Sequence, residues 1–239
     1  MRIALAALAA ALVWLSFAAT AAAHALWLEL EATGFQLQYG EFGENLRESS
    51  PGLLDRIDPP PAARAYGATG DQALKVEKRA MSFQLMGAPT SVNSIVAEQA
   101  RVTERKQSDK VTRSLGRLAA RYVTDLGERQ PVISLDIVPG GKPGAFRVFY
   151  DGKPLPKAKA EVVTEFGWKR EFTTDDNGTI EVELPWKGTY MVEVALLDGT
   201  PGVHGKEAYD TMRFVTTLTF KVAAGLDAPP RPPVMMSKR

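Results

Sequence analysis

The chain has 239 residues, 29 basic and 28 acidic side chains, no cysteine and only two histidines. The absence of cysteine excludes a disulfide framework and any thiolate metal site. The near-neutral balance leaves no broad electrostatic drive toward nucleic acid, and a basic stretch from Arg101 to Arg121 is broken by Glu104 and Asp109 and reads as a solvated face.

Residues 1–23 read as a secretory signal peptide: Arg2, the apolar run Ile3–Phe17, then the small-residue site Ala21-Ala22-Ala23. The run is too short and too closely followed by a cleavage site for a membrane span, and no other run approaches the ~20 residues one requires. The mature chain is therefore expected in the periplasm with no transmembrane segment. Cleavage after Ala23 makes His24 the new N-terminus. Ala23-His24-Ala25 is itself a small-x-small site, and cleavage after Ala25 would remove His24.

Period-two alternation runs through Leu26, Leu28 and Leu30, and after Gly34 through Phe35, Leu37 and Tyr39, so a hairpin or two neighbouring strands are expected there. Glycines and prolines from Gly40 to Pro61 predict an irregular loop. Short strands are expected near 74–78, 82–86 and 94–100. Val111, Leu115, Leu118, Ala119 and Tyr122 recur at helical spacing and predict a short helix over Lys110–Arg121, weakened by Gly116.

Pro139–Gly144 marks entry to a second region. Alternation at Phe146–Tyr150, Ala160–Glu165, Ile180–Leu184, Tyr190–Val194 and Phe214–Val222 predicts short strands, with a hairpin turn at Asn177-Gly178. The expected architecture is mainly all-β, with two antiparallel β-sandwich-like domains, 24–126 and 131–222, and one short helix between them. Pro229, Pro230, Pro232 and Pro233 predict an extended, poorly ordered tail over 223–239.

Asp151-Gly152-Lys153-Pro154-Leu155-Pro156, with Thr174-Asp175, Gly178, Leu184-Pro185 and Gly188-Thr189-Tyr190, resembles transthyretin-like or carboxypeptidase-regulatory-like modules over about 145–195. The run His24-Ala25-Leu26-Trp27-Leu28-Glu29, with Gly40-Glu41-Phe42-Gly43-Glu44 and Thr216-Thr217-Leu218-Thr219-Phe220, resembles the bacterial periplasmic family of unknown function numbered 4198. That resemblance implies association with nickel or cobalt uptake, and a metal-transport component of the envelope as partner.

Imidazole and a free α-amine on one residue form a chelate that suits nickel(II) or copper(II). The sequence therefore offers one candidate metal site, His24 with His204, and Asp198, Glu207 and Asp210 as accessory oxygen donors. No nucleophile elbow, metalloprotease helix or phosphate loop is present, so binding is expected and catalysis is not. Asp175-Asp176-Asn177-Gly178 reads as a turn, not a calcium loop. Trp27, Trp168 and Trp186 read as packing, and Met235-Met236 as tail. The competing reading is a structural or adhesive sandwich module that binds no metal.

Overall fold

The computed structural model describes residues 24–68, 70–89 and 91–237, so the expected signal peptide lies outside the described residues. The first half of the chain gives β1 (Ala25–Glu31), β2 (Gly34–Glu41), β3 (Leu46–Arg47), β4 (Ala62–Gly67), β5 (Gly70–Lys78), β6 (Phe83–Met86), β7 (Val92–Gln107) and β8 (Lys110–Val123). The second half gives β9 (Leu135–Pro139), β10 (Ala145–Tyr150), β11 (Lys153–Pro154), β12 (Lys159–Thr164), β13 (Lys169–Thr173) and β14 (Thr179–Glu181). It continues with β15 (Gly188–Asp198), β16 (Gly202–His204), β17 (Glu207–Tyr209), β18 (Thr211–Val222) and β19 (Met235–Met236). A single 3-10 turn, Leu53–Arg56, is the only helical element among the described residues. No helix there is long and apolar enough to cross a membrane.

Two large hydrophobic cores divide the described residues. Leu26, Leu28, Leu37, Phe83, Ile95 and Ala120 belong to the first, which also takes Leu54 and Ile57 from the otherwise irregular 40–61 loop. Val123, Ile137, Phe146, Val162, Tyr190 and Phe220 belong to the second. One long sheet serves both, in the order β13-β12-β15-β18-β8-β7-β4-β5-β6-β2-β3-β19, with β1 added on β2. The β9–β10–β11–β14 sheet closes the second core from the opposite side, as in a sandwich. The halves join through β18, which runs parallel to β8 from Thr211↔Ser114 to Thr219↔Tyr122.

The helix expected over Lys110–Arg121 is instead part of β8, paired along its length with β7. Its apolar spacing arises because both faces of the strand are covered. Leu115, Ala119 and Val123 are buried on one face, and Ala120 and Tyr122 on the other. Superposing two period-two rows imitates helical spacing. The Asn177-Gly178 turn also differs from expectation. It links β13 to β14, which lie in different sheets, and so does not close a hairpin. Asp175 Oδ1 accepts from the Asn177 and Thr179 amides, and Gly178 holds φ +70 where a Cβ would stand 2.6 Å from the Val148 carbonyl oxygen.

Two contact sets fix one half against the other. In the first, Arg121 of β8 is fully buried and donates to both oxygens of Asp136 on β9, at 3.0 and 2.5 Å, and to Ser94 Oγ at 2.8 Å. Asp136 also accepts from the Val132 amide at 2.8 Å. In the second, Trp27 and Phe42 pack on Val163 and Met191 as a third small core at the seam. Thr217 Oγ1 donates to the Leu26 carbonyl at 2.6 Å beside it.

The tail is extended, as its prolines dictate, but it is held down along its path. Leu226 bridges Trp186 in parallel, and Lys187 pairs with Asp227. Further on, Arg231 pairs with Glu29 at 2.6 Å over the Phe42 ring. Asn45 Nδ2 donates to the Pro232 carbonyl at 2.7 Å, and β19 runs parallel to β3. Proline removes a donor but leaves the carbonyl, and the tail uses that carbonyl.

Candidate functional site

The β1–β2 ladder begins at Ala25↔Gly40 and leaves His24 at the corner of the sheet, beside the end of β2. Two carboxylates flank its ring. Glu48 Oε1 lies 2.6 Å from Nε2, and Glu41 Oε1 lies 3.8 Å from Nδ1. The Glu48 backbone N–H donates to the Tyr39 carbonyl at 2.8 Å, which extends the sheet past β3 and aims the side chain under the histidine. The Glu48 side chain is 2% exposed, against 28% for His24. His24 is the only ion-pair partner of Glu48 among the described residues. A buried carboxylate needs a hydrogen-bond partner, and the His24 ring supplies it. The Tyr39 ring sits 5.4 Å from the imidazole. Burial, and then the Glu48 charge, push its phenol pKa up, against an opposing pull from Arg56.

The other face of this corner opens on a cleft across the seam. Ala25, Glu41, Phe42 and Glu44 line it from one half, and Glu161, Lys169, Met191 and Glu193 from the other. Gly43 permits the close approach, since a Cβ there would stand 2.9 Å from Val163 Cγ1. At about 80 Å³ the cleft is far below the ~300–1,000 Å³ of pockets for organic ligands. Burial, reinforced by Glu161, pushes the Glu193 carboxyl up to about 7, against the pull of Lys169 and Arg213. The folded chain therefore keeps a proton that the unfolded chain releases above its ordinary value of 4.5. Stability should fall as pH rises from about 4.5 to about 7, and Glu193→Gln should flatten that slope in urea titrations across the window.

The structure does not bring His204 to this corner. His204 pairs with Glu207 in the β16–β17 hairpin. That hairpin is tied to the far end of β8, where the Arg113 amide donates to Asp210 Oδ2 at 2.7 Å. Thr211 at that end and Thr217 beside Leu26 are separated by about 20 Å of extended strand. Asp198 is engaged elsewhere, accepting from Tyr150 Oη and from the Thr200 amide. Of the predicted ligands, His24 alone stands in the corner. Among the described residues no group of three or more histidine, aspartate or glutamate side chains is arranged to hold a metal ion. A metal-binding set at His24 thus requires its α-amine in addition to its ring and the flanking carboxylates.

Sequence reasoning missed both Glu41 and Glu48 as partners of His24. Glu41 stood in a conspicuous Gly-Glu run, but Glu48 reaches the histidine only through the β2–β3 register Gly40↔Arg47. No spacing rule in the sequence reports that register.

The fold and corner define a β-sandwich protein with two large cores, a small one at their seam and a histidine–carboxylate cluster at the first strand. A family model described as Domain of unknown function (DUF4198) matches residues 21–198, and the chain belongs to that family. Searches of curated proteins and of solved structures found no match.

Proposed function

We propose that this protein is a periplasmic binding protein that carries a divalent transition-metal ion, nickel, cobalt or copper, for an envelope transport component. Its role is binding, not catalysis. The observation that carries the reading is the His24 corner: an imidazole at the expected mature N-terminus, flanked by Glu41 and by a buried Glu48. Amine and imidazole nitrogens with carboxylate oxygens form a donor set suited to nickel(II) and copper(II). Glu48 holds the ring orientation, and its own orientation is set by the sheet. The resemblance to a family associated with nickel and cobalt uptake supports the choice of metals.

Calorimetric titration of protein beginning at His24 with nickel(II), cobalt(II) and copper(II) tests this. One equivalent should bind. Protein retaining Ala23 has that amine locked in a peptide bond and should bind at least tenfold more weakly. Glu48→Gln should lose about 10–100-fold. His204→Ala should bind as the parent does. Equal binding by the His24 and Ala23 forms, or a natural N-terminus at Leu26 by mass spectrometry, overturns the proposal.

A further inference from the structure

β7 has β8 on one side from Ser94 to Gln107, but β4 on the other only as far as Glu98. The Asp58 and Arg56 carbonyls then accept from the Gln99 and Arg101 side chains. From Val102 to Gln107 no strand and no backbone hydrogen bond among the described residues occupies that second side. The result is six residues of open edge at one end of a sheet that is paired elsewhere along β7.

The two faces of this β7–β8 end differ in charge. On one, Glu104 pairs with Arg113 and Glu98 with Arg117, and Ala208 and Asp210 of the adjoining hairpin share a hollow with Val111. The register puts Arg101, Thr103 and Arg105 on the other face, with Thr112 opposite Arg105 and Lys110 opposite Gln107. Along the strands that face carries no carboxylate from Gln99 to Gln107 or from Lys110 to Gly116, Asp109 lying in the turn between them, and none of Arg101, Arg105 and Lys110 has an ion-pair partner among the described residues. A second copy laid on the same edge would bring these like charges together, which disfavours self-pairing. An acidic strand meets the opposite situation.

We propose that the β7 edge from Val102 to Gln107 is a docking site for an extended acidic segment of a partner protein, added as a further strand. Backbone groups supply the ladder, and alternate side chains supply selection. Arg101 and Arg105 stand four residues apart on one face, so they select two acidic residues at the same spacing. This surface is separate from the His24 corner, and its success or failure leaves the metal reading untouched.

The test uses fluorescence anisotropy with a labelled threonine nonapeptide bearing two glutamates four residues apart. It should bind the mature chain roughly tenfold tighter than a version with the glutamates three apart, which sends them to opposite faces. Methylation of alternate peptide nitrogens should abolish binding. Arg101→Glu and Arg105→Glu should each do so as well, whereas Lys106→Glu on the opposite face should reduce it less than either. Equal affinity for the two spacings, or full binding of the methylated peptide, overturns strand addition. Dimerisation of the chain through this edge would overturn the choice of an acidic partner.

Discussion

Asp136→Ala should lower stability by about 3–5 kcal/mol, read as a large fall in the urea midpoint at unchanged slope. Asp136 is fully buried, and its carboxylate takes two donors from Arg121 and one from the Val132 amide. Removing it leaves a guanidinium buried with only Ser94 to answer it. The loss comes from that stranded charge, not from the worth of the pair. Arg121→Met with Asp136→Leu should therefore recover most of the loss, because it removes both charges and keeps apolar volume. A double variant as unstable as Asp136→Ala would show that the pair itself specifies the junction of the halves.

The second large effect belongs to the seam. Trp27→Ala should cost about 3–5 kcal/mol, since the side chain is fully buried against Phe42, Val163 and Met191. Trp27→Phe should cost much less. The indole N–H has no hydrogen-bond partner among the described residues, so losing it removes a desolvation penalty while the ring edge against Phe42, 5.9 Å between centroids, is largely kept. Both variants are read by urea unfolding. A Trp27→Phe loss as large as that of Trp27→Ala would mean that the indole's full width holds the halves together.

Much of the fold was legible from alternation. The strands carrying Leu26, Phe35, Val148, Val162 and Val192 lie where period two placed them, because one alternating row of each fills a large core, even where Trp27, Val163 and Met191 on the other row are covered at the seam. β8 was not legible, since apolar residues on both of its rows, Leu115 and Ala119 on one and Leu118 and Tyr122 on the other, overlay at helical spacing. The anchored tail was equally hidden. Its prolines specify an extended chain, but its docking depends on Glu29, Asn45 and Trp186, which lie far away in sequence. The same limit governs the site. His24 stood out by chemical scarcity, yet its partners Glu41 and Glu48 follow from hairpin register. His204 shares the scarcity of His24 but not its position.

The order in which the chain becomes available to fold follows from the same docking. Glu29, Arg47 and Asn45 sit in the first fifth of the sequence, yet their cover is Arg231, Pro232 and Met235. β8 likewise waits for β18 as its parallel neighbour. A chain emerging from its N-terminus, whether from a ribosome or through a membrane pore, can collapse its first core early. It cannot finish the surface around Glu29, Phe42 and Asn45 until Arg231, Pro232 and Met235 have appeared. Completion of β1 is thus vectorially late, since Glu29 waits for a partner 202 positions further along the chain.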